Sequence, residues 1–329
     1  MKSLFLGIDT SNYTTSAALA DGEGTVFLNR KIPLPVREGE RGLRQSDAVF
    51  HHTKNLPEAA RSVREALGSM EAVRISAVGV SSVPRDVEGS YMPCFLAGTA
   101  SAEMTASALG VPLYRFSHQA GHVMSAVNSV CQNGGGSWKM WLEKPFLAFH
   151  VSGGTTDLLL CEPDEEKVFR ITQIGGSKDI NGGQAVDRTG VRMGMAFPCG
   201  AEMDRAALTY AGKLPRAKIA VDGPFCCLSG LENKTAELWE STGDAAQVSA
   251  FALEFIGRTL SAMTDNARAE LGGLPVIYAG GVMSSLYIRR MLGEKGAFAD
   301  PVYSSDNAAG IACLTAEIDR RTNGSRLLL

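Results

Sequence analysis

Apolar residues in this chain come in short runs that end at a carboxylate, a hydroxyl or a glycine pair. Residues 4–9 form the first run, closing on Asp9, and the polar turn Thr10-Ser11-Asn12-Tyr13-Thr14-Thr15-Ser16 follows. A second run at 17–20 turns through Asp21-Gly22-Glu23-Gly24 into a third at 25–28. Strand, hydroxyl-rich turn and strand predict a hairpin. Its small donors can hold phosphate oxygens, or serve as an ordinary polar hairpin tip. Residues 31–46 are charged and broken by Pro and Gly, which predicts a surface loop. A helix is predicted to open around His52, with Asn55 as its cap and Ala59, Val63 and Leu67 on its inner face.

Residues 75–81 read as a buried strand, 98–109 as an Ala-rich helix, 111–116 as a strand and 123–128 as helical. Strand, helix, strand in this order predicts an α/β unit with a mostly parallel sheet. Residues 146–151 are another strand, running into Ser152-Gly153-Gly154-Thr155-Thr156-Asp157 before 158–160. This repeats the first unit, as a pseudo-duplicated fold with a nucleotide between two lobes would. Helices are predicted at 185–193, 201–210, 244–271 and 284–292, strands at 275–282 and 301–303, and a closing helix to 320.

Composition narrows the class. The chain has 329 residues, 45% hydrophobic and 20% charged, enough for two globular lobes. Its formal net charge is −3, so any contact with a polyanion must be a local basic patch. No apolar run approaches the roughly 20 residues of a membrane span. The charged residue at position 9 comes too early for a signal peptide. Seven cysteines, an odd number without C-x-x-C spacing, point to reduced thiols in a cytoplasmic protein.

The strongest candidate for chemistry is His118-Gln119-Ala120-Gly121-His122. Two imidazoles four residues apart share one face of a helix and can bind one metal ion, with a third ligand from elsewhere; a pair at this spacing is also often structural. The pair sits at a strand-to-helix junction, where α/β folds place ligands. Asp306, after the last predicted strand, stands where metal-binding carboxylates often occur. Gly153 and Gly154 allow close backbone approach to a phosphate, and Gly280 and Gly281 can lie against a purine or ribose. Both pairs also fit tight turns.

Several motifs in order resemble the TsaD-type tRNA threonylcarbamoyladenosine transferase family, once grouped as M22 glycoproteases. They are Gly7-Ile-Asp-Thr-Ser11, His52-x-x-Asn55-Leu-Pro57, His118-x-x-x-His122, Val151-Ser-Gly-Gly154, Gly183-x-Ala185-x-Asp187, Ala279-Gly-Gly-Val282 and Ser305-Asp-Asn-Ala308. The resemblance implies a two-lobed actin/hexokinase/Hsp70-like (ASKHA) α/β fold with a nucleotide cleft between lobes. One lobe would span 1–115, with a helix at 307–329 packing back on it. The other, 116–306, would carry the metal and nucleotide site.

The implied activity is transfer of a threonylcarbamoyl group from threonylcarbamoyl-adenylate to the exocyclic amine of the tRNA adenosine beside the anticodon. By match, His118, His122 and Asp306 would bind one iron or zinc ion, which leaves positions open for substrate oxygens. ATP or the carbamoyl-adenylate would meet Asp9, Thr10 and Ser11 on one side and Ser152, Gly153, Gly154 and Thr155 on the other. Asp187, Gly200, Gly280, Gly281 and Ser285 would face the nucleoside. Implied partners are tRNA, TsaB-like and TsaE-like subunits or a second copy of the chain, and no membrane. Departures mark a divergent member or paralogue: Thr155 replaces the family's His, Gln184 its Glu, Ser285 its Asn and Asp9 its Glu. These changes leave two alternatives, a carbamoyl-adenylate transferase with another acceptor and a non-catalytic partner subunit of the same fold. A metalloprotease helix would carry Glu directly after its first His, and here that position is Gln119.

Overall fold

The computed structural model describes residues 1–35, 43–303 and 308–326, the last three of these through their backbone alone. In chain order run β1 (Lys2–Asp9), β2 (Thr14–Ala20), β3 (Val26–Pro33), α1 (Gln45–Gly68), β4 (Val73–Val83), α2 (Phe95–Leu109), β5 (Leu113–Ser117), α3 (His118–Gln132) and α4 (Trp138–Leu142). Then come β6 (Phe146–Val151), β7 (Thr156–Asp164), β8 (Val168–Ser177), α5 (Gly182–Arg192), α6 (Gly200–Thr209), β9 (Ala220–Asp222), β10 (Phe225–Cys227) and α7 (Gly230–Thr242). The last are α8 (Ala245–Leu271), β11 (Val276–Ala279), α9 (Leu286–Leu292), β12 (Ala297–Phe298) and α10 (Ala309–Arg326).

Three local expectations are corrected. The first helix starts at Gln45, ahead of Asn55, because Ala48 and His52 extend the buried face of Ala59 and Val63. Asn55 therefore lies inside the helix and donates to Thr15 Oγ1 at 3.3 Å, without capping it. Residues 31–33, expected in a loop, complete β3, where Ser16 pairs with Lys31 and Thr15 with Ile32. Residues 301–303 form a 3₁₀ turn, not a strand. Pro301 has no N–H for a ladder, and the Val302 N–H instead meets Asp300 Oδ1 at 2.9 Å.

The chain divides into two compact units, one of residues 1–143, 162–171 and 305–329, the other of 144–161 and 172–304. The expected division at 115/116 thus falls differently, since α3 belongs with the first unit. The reason is backbone contact with α10: a Cβ on Gly310 would overlap the carbonyl oxygen of Gly121 and come within 2.6 Å of Ser125 Oγ. The same helix lies against β1, where a Cβ on Gly7 would come 2.5 Å from Ala312 N.

In the first unit the sheet order is β3-β2-β1-β4-β5, with β1, β4 and β5 parallel and β2 and β3 antiparallel additions. Leu6, Ile8, Leu19, Val78 and Val80 form a core beneath α1 and α2. The second unit is built on a sheet of order β12-β11-β6-β7-β8-β10-β9. Its core gathers around α8, whose Phe251, Phe255, Ile256, Leu260 and Met263 are buried. Asp244 caps the N-terminus of α8 and Gly272 ends it in the left-handed region at φ 79°. Among the described residues no helix is long and apolar enough to cross a membrane.

Candidate functional site

Ser117 is the last residue of β5 and the N-cap of α3; its Oγ accepts the Ala120 N–H at 3.2 Å. The same hydroxyl donates to Asp86 Oδ2 at 2.8 Å, and Gln119 N–H donates to Pro84 O at 3.1 Å. The start of α3 is therefore fixed from outside the helix. Helical spacing then brings the two imidazoles together, with ring centroids 4.3 Å apart and planes at 73°. His118 Nδ1 lies 3.2 Å from Asp9 Oδ2, so its other nitrogen, Nε2, is the one suited to a metal.

Among the described residues no three His, Cys, Asp or Glu side chains gather as metal ligands. The expected third ligand, Asp306, lies outside the described residues. The donor set fits an ion in one respect: an imidazole backed by a carboxylate on its inner nitrogen is the usual arrangement of a metal-ligating histidine.

Asp9, Thr10 and Ser11, expected to face phosphate, are fully buried. Thr10 Oγ1 donates to Cys94 O and accepts the Gly98 N–H, both at 3.0 Å. Ser11 Oγ donates to Asp9 Oδ2 at 2.8 Å, and Ser81 Oγ donates to Asp9 Oδ1. These side chains serve the protein's own hydrogen bonding. Ser81 and Asp86, not singled out from the sequence, are parts of the site that only the fold reveals.

In the second unit Gly153, Asp187, Gly200, Gly281 and Ser285, far apart in sequence, line one cavity of about 530 Å³. Val186, Val282 and Leu253 supply apolar wall and Asp204 a second carboxylate. A Cβ added at Gly153, Gly200 or Gly281 would meet nothing within 4 Å. These glycines are not forced by the protein's own packing and leave room that a ligand can use. Asp187 Oδ1 accepts the Cys199 N–H at 2.8 Å, which aims the carboxylate at the start of α6.

Ser152, Gly154, Thr155 and Gly280 are not part of the cavity wall. Ser152 Oγ accepts the N–H groups of Gly154 and Thr155 at 3.2 Å, closing its turn on itself. Thr155 Oγ1 lies 3.0 Å from Ser152 Oγ and 3.4 Å from His150 Nδ1. Gly280, at φ 99°, packs on Val151, and a Cβ there would come 2.8 Å from Val151 N. Gln184 accepts the Asn181 N–H at 3.0 Å in a capping box, a task that Glu performs equally. Ser285 Oγ donates to Asp204 and accepts the Ile288 N–H at 3.1 Å, capping α9. Asp204 also accepts Leu286 N–H at 3.0 Å and Tyr287 N–H at 3.1 Å.

The family model described as TsaD: tRNA N6-adenosine threonylcarbamoyltransferase matches residues 38–313. The chain is 29% identical to the tRNA N6-adenosine threonylcarbamoyltransferase of Maricaulis maris, covering 95% of this chain and 85% of that one. It is 26% identical to the protein of the same name from Methanopyrus kandleri, covering 93% and 85%. Among solved structures it is similar to full-length HypF in its phosphate- and nucleotide-bound form, with TM-score 0.60 at 12% identity, covering 96% of this chain and 46% of that one. HypF of T. kodakarensis gives TM-score 0.57 at 13% identity, covering 97% and 48%. At such identities these likenesses speak for the fold alone, and it is the actin/hexokinase/Hsp70-like fold expected from the sequence.

Proposed function

Because the chain belongs to the tRNA N6-adenosine threonylcarbamoyltransferase family, TsaD, we propose that it moves a threonylcarbamoyl group from threonylcarbamoyl-adenylate to the exocyclic amine of the tRNA adenosine next to the anticodon. The observation that carries this reading is the cavity of the second unit, where Gly153, Asp187, Gly200, Gly281 and Ser285 meet. Its glycine floor takes the flat nucleoside against the backbone, and its apolar wall covers the base. One oxygen of Asp187 is held by the Cys199 N–H, and the other is the acceptor for a ribose hydroxyl. Asp204, committed to the N-terminus of α9, keeps the opposite wall rigid.

In the first unit His118 and His122, with Asp306 as third ligand, would hold one iron or zinc ion. When bound, that ion supplies Lewis acidity toward a carbonyl or phosphoryl oxygen. Ser117 with Asp86 holds the start of the helix that carries both rings. The turn 152–155 spends the N–H groups of Ser152, Gly154 and Thr155 on itself, so Gly153, which lines the cavity, is its contribution toward phosphate. All seven cysteines are free thiols, which supports a cytoplasmic place, and TsaB-like and TsaE-like subunits or a second copy are the partners proposed.

A second reading keeps the carbamoyl-adenylate and changes the acceptor. It draws on Ser285, whose hydroxyl is bound within the protein and not turned to a ligand. Purified protein, with partner subunits, threonylcarbamoyl-adenylate and unmodified tRNA, distinguishes the two. Nucleoside mass spectrometry is expected to show threonylcarbamoyladenosine, lost in His118→Ala and Asp187→Ala. Adenylate consumption without modified tRNA would favour the second reading, and no turnover under any condition would overturn both.

A further inference from the structure

We propose that Asp9 is a positioning residue for His118, and that Ser11 and Ser81 hold its carboxylate in place. This departs from the phosphate-facing role that family resemblance gives Asp9, and it rests on the reading of His118 as a metal ligand. Asp9 is 0% exposed, and a buried carboxylate is tolerated only where its oxygens are met by donors. Ser81 Oγ meets Oδ1, while Ser11 Oγ meets Oδ2 at 2.8 Å. With one hydroxyl on each oxygen, the carboxyl plane cannot turn. Its Oδ2 then stands 3.2 Å from His118 Nδ1.

The placement follows from the sheet. Strands β1 and β4 run parallel with Ile8 opposite Val80, so the next residues, Asp9 and Ser81, come side by side at the strand ends. The helix bearing His118 is independently fixed at its start by Ser117, Asp86 and Pro84. What Asp9 restrains is rotation of the His118 side chain, whose ring also stands edge-on to those of Phe95 and His122. A carboxylate oxygen beside Nδ1 keeps the proton on that nitrogen and the lone pair on Nε2.

The test reads His118 directly. In metal-free protein with ¹⁵N-labelled histidine, at a pH where the ring is neutral, long-range nitrogen–proton couplings report the tautomer, His118→Gln supplying the assignment. The expected form is Nδ1–H in the wild type, shifted in Asp9→Asn. Zinc affinity, by competition with a chromophoric chelator, is expected to fall about 10–100-fold in Asp9→Asn. In Ser81→Ala it is expected to fall about 5-fold, with Ser81→Thr restoring it. Circular dichroism melts show whether each variant is folded. A wild-type ring protonated on Nε2, or a folded Asp9→Asn with unchanged zinc affinity, overturns the proposal while leaving the metal site standing. A wild type that binds no zinc overturns the metal site and this proposal together. Should Asp9→Asn not fold, the wild-type tautomer and the Ser81→Ala and Ser81→Thr pair decide, and equal zinc affinity in those two variants overturns the proposal.

Discussion

Replacing Gly310 by alanine tests whether α10 holds the histidine helix at a fixed distance. The new Cβ would overlap the carbonyl oxygen of Gly121 and stand 2.6 Å from Ser125 Oγ, whereas Cβ contacts in folded proteins do not come under 3.0 Å. A backbone oxygen cannot rotate away, so α3 and α10 must part, by about 1 Å on ordinary contact distances. Overpacking of this kind costs about 1–3 kcal/mol, and alanine regains up to about 1 kcal/mol over glycine as a helix former. The net loss of about 1–2 kcal/mol lowers the melting temperature of a chain of 329 residues by roughly 1–3 °C. Gly121 lies between His118 and His122, so a shift near 1 Å should also lower the transfer rate, by up to about 100-fold. Gly121→Ala is the internal comparison. Its Cβ meets only Ile311 Cδ1 at 2.9 Å and Cγ1 at 3.2 Å, the movable end of a side chain. Differential scanning fluorimetry should rank wild type above Gly121→Ala, and Gly121→Ala above Gly310→Ala. A Gly310→Ala protein as stable and active as wild type would refute the idea that this contact sets the position of α3.

Four further outcomes are expected. Gly281→Ala, which meets open space, should leave the melting temperature unchanged and weaken ATP binding in calorimetry. Gly183→Ala, whose Cβ would come 2.5 Å from Gly153 N, should lower both. Burial raises the carboxyl of Asp179, but hydrogen bonds from Ser229, the Leu228 N–H and the Ile180 N–H outweigh it and bring its pKa down to about 2. Its contribution is therefore present above the ordinary 3.8 and disappears as pH falls through about 2. The depression corresponds to about 2.4 kcal/mol, cut to about 1 kcal/mol because Asp179 is exposed; acid melts of wild type and Asp179→Asn should converge below that pH. Burial also raises Glu317, but the guanidinium groups of Arg320 and Arg321 hold it below its usual range. Glu317→Gln, which loses those charged hydrogen bonds, should destabilise by about 2 kcal/mol in urea titration at pH 7.

How far the sequence announces this arrangement depends on the kind of signal. The helix of His118 and His122 is legible because a four-residue spacing follows a serine able to cap it, and both facts are local. Gly153 and Gly281 are legible locally as members of glycine pairs, but Asp187, Gly200 and Ser285, and the meeting of all five in one cavity, are legible only through motif resemblance, since nothing local ties positions so far apart. Asp9 is visible as a carboxylate ending a strand, but its partner Ser81 is set by strand register, which no window of sequence contains. Asn55 misleads at α1 because it is a boundary signal overridden by burial of Ala48 and His52. Pro301-Val-Tyr303 misleads in the opposite direction, as an apolar triplet whose leading proline cannot join a ladder. Asp306 falls outside the described residues and stays a proposal.

The discontinuous make-up of the first unit has a consequence for biosynthesis. Its sheet strands are translated long before the helix that covers Gly7 and Gly79 on that sheet, with the second unit lying between them in sequence. Until α10 has been made, one face of β1 and β4 lacks its native cover, and the nascent chain carries a sticky surface that chaperones would recognise. Ribosome-bound chains stalled before residue 309 should accordingly be cut by protease in β1 and β4, and become resistant once α10 clears the exit tunnel.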